Sequence, residues 1–146
     1  MELINTQIVP AKEDLMWEIP SDVPELTGLK MLIISLPFPQ NGTEAETLGR
    51  MMSACKLLPH EYAVIPLPSE ARLSWQALRG MGAPDRVLLA GISPAQLGIQ
   101  ALLRPLSCNS FLGARFVPAP SLDVIASQAP VKRQLWEEGL KPCFDL

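Results

Sequence analysis

A single histidine, three cysteines and no C-x-x-C pair leave this chain little with which to hold a metal. Zinc and iron–sulfur sites draw on clustered Cys and His at short spacings, whereas Cys55, Cys108 and Cys143 are odd in number and widely separated. They read as reduced thiols of a cytoplasmic protein, with no metal and no cofactor expected. His60 follows Pro59 and has no second histidine for a relay or ligand pair, so a surface or helix-end position is its expected role. Clustered Lys and Arg, which drive nucleic-acid affinity by neutralising phosphates, are also missing, so direct nucleic-acid binding is expected to be weak or absent. No apolar stretch reaches the roughly 18 residues of a membrane span. The start, Met1 to Asn5, lacks the basic-then-apolar order of a signal peptide, so none is expected. No G-x-G-x-x-G follows the first apolar run, and neither Ser93 nor Ser121 sits in a G-x-S-x-G elbow, which removes the dinucleotide fingerprint and the usual serine-nucleophile geometry.

What is there suits one domain with an arm. The chain has 146 residues at 48% hydrophobic composition, enough to bury about two-thirds of its unfolded surface without covalent staples. Its net charge of -3 is unevenly spread: residues 1 to 30 carry six acidic groups against Lys12 and Lys30, and the rest is close to neutral. Residues 1–28 hold prolines at 10, 20 and 24 and no sustained period, and read as an acidic, extended or partly ordered arm ahead of an α/β domain over 29–146. Within the arm, Leu15, Trp17 and Ile19 form an apolar patch among acids. Such a patch either folds back over an open surface such as a sheet edge, or is a short linear motif that a partner captures by its Trp anchor.

Four apolar runs predict strands: Leu29–Leu36, Glu61–Leu67, Arg86–Gly91 and Ala114–Val117. The first is apolar on both faces, as in the central strand of a covered parallel sheet. Between them lie a helix from Glu44 to about Leu58 with Thr43 and Glu46 as a capping box, a helix over Glu70–Arg79 capped by Ser69, and a helix from Ser93-Pro94 to about Leu103. Residues Leu106 to Leu112 read as irregular. After the fourth strand, Ser121 caps a turn of helix and Pro130 opens the last one, which carries Trp136. Met31, Met51, Met52 and Met81 read as core filling, and Trp75 and Trp136 as core or interface. Strands and helices alternating at short spacing predict a three-layer α/β domain, a roughly four-stranded parallel sheet with right-handed crossovers and helices on both faces.

With the elements placed, residues 29 to 140 resemble the uracil-DNA glycosylase superfamily. The strand-Gly-helix sequence Val87-Leu88-Leu89-Ala90-Gly91-Ile92-Ser93-Pro94 looks like the superfamily's third strand and the helix behind it. The closing run Ala119-Pro120-Ser121-Leu122, followed by Pro130, Lys132-Arg133 and Trp136, looks like the family's last motif, approximately His-Pro-Ser-x-Leu with a basic and an aromatic residue on the final helix. The family histidine is implied to stabilise the uracil leaving group, and Ala119 stands in its place, unable to donate a hydrogen bond or carry charge. The family's water-positioning Gly-Glu-x-Pro-Gly loop is here Leu36-Pro37-Phe38-Pro39-Gln40-Asn41-Gly42, with no carboxylate before Glu44. As an enzyme, the chain would have to use Asn41 or Gln40 to position water, with Ser121 nearby and Phe38 stacked on the base. Ordinary loop and core duties are the first expectation for all four. The same scaffold without chemistry resembles the psi subunits of bacterial DNA polymerase III, which implies an adaptor: an arm, here centred on Trp17, that binds the clamp loader, and a domain that binds a chi-like subunit.

Overall fold

A computed structural model describes residues 25–146. Five strands form one sheet in the order β2-β1-β3-β5-β4: β1 (Met31–Ser35), β2 (Tyr62–Pro66), β3 (Arg86–Ala90), β4 (Asn109–Phe111) and β5 (Ala114–Ala119). β1, β2, β3 and β5 run parallel, and Ile33 of β1 pairs with Val64 on one side and Leu88 on the other. All five residues of β1 are buried, because a central parallel strand is covered on both faces.

Side-chain alternation along the strands sorts the core into two layers. Leu32, Ile34, Val87, Leu89 and Phe116 meet Leu73, Trp75 and Leu78 on one face, where the Trp75 and Phe116 rings cross edge-on at 5.0 Å. Met31, Ile33, Leu88, Ala90 and Val117 face the other layer, made by α1 (Thr43–Ala54), α3 (Leu122–Ser127) and the C-terminal helical run. That run is α4 (Ala129–Gln134), a π-helical segment (Leu135–Leu140) and α5 (Lys141–Cys143). Gly139 lies close on the sheet, since a Cβ there would sit 2.7 Å from Val117 Cγ1. The terminal carbonyl of Cys143 accepts hydrogen bonds from Arg86 Nε and Arg115 Nη1, each at 2.8 Å, so two sheet arginines satisfy a helix-end acceptor.

The four expected strands are present and parallel; the expected irregular stretch instead contains a fifth. β4 is antiparallel to β5, and the two are joined by Leu112 (φ 51°) and Gly113 (φ 77°), the backbone of a tight primed turn. Asn109 stabilises its approach, its Oδ1 accepting from Arg104 N–H while Nδ2 donates to the carbonyls of Arg104 and Ser107.

Helix ends also differ from expectation. Thr43 is the first residue of α1 rather than its cap; Gly42 holds that position without a side-chain bond. α1 stops at Ala54 because Lys56 turns to φ 64° and Leu57 N–H returns to the Met52 carbonyl, which leaves Leu58 56% exposed instead of in the core. α2 (Trp75–Gly80) is capped by Ser74, not Ser69. The backbone ahead of it is engaged elsewhere: Gln96 Nε2 donates to the Pro68 and Ala71 carbonyls, and Leu73 N–H to the Gln96 carbonyl. Ser93 caps as expected, but over a 3-10 turn (Pro94–Leu97) that Gly98 ends in the left-handed region at φ 76°. Ser121 occupies the cap of α3 with no side-chain cap bond. Met81, expected in the core, is 44% exposed. No helix among the described residues is long and apolar enough to cross a membrane.

Candidate functional site

The chain leaves β1 toward β2 on one side and returns across it to β3 on the other. The sheet therefore has its switch point between β1 and β3, and in open α/β sheets the crevice beyond the carboxyl ends of such strands is where ligands bind. Here it is bounded by the loop after β1, the Gly91 turn after β3 and the loop after β5. Gly91 (φ 76°) lets these loops close together, since a Cβ on it would sit 2.9 Å from Leu36 Cδ1 and 3.2 Å from Ser121 Cα. The cleft, about 240 Å³, is lined by Leu36, Pro37, Phe38, Glu44, Ser121, Leu122 and Asp123.

Its ionisable groups are two carboxylates. Ser121 Oγ donates to Asp123 Oδ1, and that bond holds the Asp123 carboxyl below the ordinary range, so it stays ionised. Glu44 lies in the first turn of α1, where the helix dipole favours negative charge. Phe38 is half-buried, packed on the α1-side core layer rather than filling the cleft. Gln40 and Asn41 are exposed on the loop and outside the cleft lining. Ala119 pairs with Ala90, its carbonyl accepting Gly91 N–H at 2.8 Å, and half-buried Pro120 connects it to Ser121. The cleft thus brings together Phe38 and Ser121 from the expected set and adds Glu44 and Asp123, which the sequence alone did not single out. Leu15, Trp17 and Ile19 lie outside the described residues.

A second concavity lies on the helical face. Thr47, Arg50, Met51 and Ala54 of α1 face Lys132, Trp136 and Leu140 of the C-terminal run across an apolar groove of about 190 Å³. On each helix these residues recur at three- and four-residue spacing, a pattern visible in the sequence. That the two stripes oppose each other is a property of the fold alone. Thr47 is only 5% exposed, and its hydroxyl has no hydrogen-bond partner among the described residues.

The remaining chemistry is quiet. His60 is exposed, and no metal-holding group of His, Cys, Asp and Glu occurs among the described residues. Burial pushes the Cys55 thiol up to about 11 and raises Cys143 further, so neither is a ready nucleophile at neutral pH. Compared with protein-family models and with curated protein sequences, the chain matches none.

Proposed function

We propose that this chain is a non-catalytic protein-interaction adaptor on a uracil-DNA glycosylase-like scaffold, psi-like within a DNA replication assembly. The observation that carries this is the side-chain content of the cleft. Where the loops after β1 and β5 meet, the lining holds no histidine, amide or basic side chain, and its two ionisable groups, Glu44 and Asp123, are carboxylates. A carboxylate-lined crevice repels a phosphate backbone, and Asn41 lies outside it. In this proposal the arm presents Leu15, Trp17 and Ile19 to a clamp-loader partner, and the α/β domain holds a chi-like subunit. The retained parallel core and the Pro120-Ser121 turn support the scaffold assignment.

A second reading, a divergent nucleobase glycosylase, is favoured by the cleft being open and polar rather than plugged by Phe38. The two are separated by incubating excess protein with uracil-containing single-stranded and duplex DNA. The adaptor releases no uracil above a protein-free blank. Release that disappears in Asn41→Ala would establish the enzyme instead.

A further inference from the structure

The apolar groove between α1 and the C-terminal helical run takes no part in the cleft. We propose that it is the docking site for a partner protein, seating an acidic segment that presents one large apolar side chain. Met51, Ala54, Trp136 and Leu140 supply its apolar lining, and Arg50 and Lys132 are its two ionisable lining groups. Two cations and no carboxylate around an apolar floor favour an anchor flanked by Asp or Glu and disfavour a basic one. Neither cation is firmly committed: Arg50 meets Glu46 at 4.0 Å with both side chains exposed, and Lys132 has no ion pair among the described residues. An exposed pairing of that kind is easily exchanged for another.

Thr47 is a second and independent sign of an occupant. It lines the groove at 5% exposure, and its hydroxyl has no hydrogen-bond partner among the described residues. A buried hydroxyl without a partner is costly, and the backbone of a segment laid along the groove supplies one. Size favours a protein side chain over a free small molecule. At about 190 Å³ the groove is smaller than the roughly 300–1,000 Å³ of small-molecule pockets. Half-buried Trp136 is of the residue type most enriched where such interfaces hold most tightly.

The described residues that lead into β1 leave the groove open. Leu26 is buried with Leu32 and Ile34 in the opposite core layer, and Thr27 lies against Gly82, so the chain approaches β1 on the other face of the sheet. The inference deepens the adaptor reading, on which it rests for the existence of a partner, by naming the surface of the α/β domain that holds it.

The test pans a random dodecapeptide library, displayed on phage, on the immobilised full chain. Peptides carrying one Trp, Phe or Leu among Asp and Glu are expected to enrich. The best of them, synthesised and added to chain labelled with fluorotryptophan, should move the fluorine resonance of Trp136. Trp75, packed on Phe116 in the opposite layer, should stay unchanged and reports on the fold. Ala54→Glu, on an exposed groove residue, is expected to abolish binding with the Trp75 resonance intact. Lys132→Glu should weaken it roughly fivefold, with recovery when a carboxylate of the peptide is exchanged for lysine. The proposal is overturned if no peptide enriches above the uncoated support, if the enriched peptides are basic, or if they bind Ala54→Glu as well as wild type. It is equally overturned by a peptide-free Trp136 resonance that moves on dilution, which would mean a second copy, or in Trp17→Ala, which would mean the chain's own arm. Groove-bound peptides in a chain that captures no protein would sink the adaptor and leave the groove's chemistry standing; a partner captured equally by wild type and Ala54→Glu would do the reverse.

Discussion

Gly91 is where one missing atom shapes the crevice. Its φ of 76° lies in the left-handed region, and Leu36 and Ser121 approach within the reach of a Cβ. Alanine there meets both backbone strain and a collision with the Ser121 backbone, which has no flexible end to move aside. Gly91→Ala is expected to lower stability by about 2 kcal/mol in urea unfolding, with an unchanged denaturant slope. An unchanged midpoint would mean that the loops do not close over this residue. Gly91 could be flagged from the sequence as a strand-ending glycine. Its neighbours from two other loops could not, because they come from positions 36 and 121.

Among the elements, legibility followed how each is stabilised. The four parallel strands were readable because burial on both faces writes continuous apolar runs into the chain, Met31–Ser35 most clearly. The three-residue β4 was not, since its evidence is a Leu112-Gly113 turn with a non-glycine at positive φ. Helix ends failed where long-range hydrogen bonds decide them, as Gln96 does for the stretch ahead of α2. The candidate site was half legible for the same reason: Phe38 and Ser121 were named, but Glu44 and Asp123 become cleft residues only when α1 and α3 converge.

The junction of the arm with the sheet carries a pH-dependent prediction. Glu61 accepts the Leu58 N–H at 2.8 Å and pairs with Lys30, and these interactions hold its carboxyl below the ordinary range. A depressed folded value means stability that is present above the unfolded pKa, about 4.3, and lost as pH falls through the folded value. Glu61→Gln should therefore melt below wild type near neutral pH, with the gap closing in acid. A gap that stayed constant across that range would show that charge is not what Glu61 contributes.

At the scale of the whole molecule, an acidic N-terminal stretch precedes a nearly neutral α/β domain whose crevice is lined by two carboxylates and no basic side chain. A charge distribution of this kind does not attract a polyanion, and protein recognition is the work we propose for this surface. The most direct measurement of that claim is capture of partners by the immobilised full chain, comparing wild type with Trp17→Ala under matched loading. An anchoring Trp at an interface centre is worth about 2 kcal/mol or more, so the variant should retain its partner roughly 30-fold less tightly in a follow-up titration. Equal capture of every partner by wild type and Trp17→Ala would contradict the account.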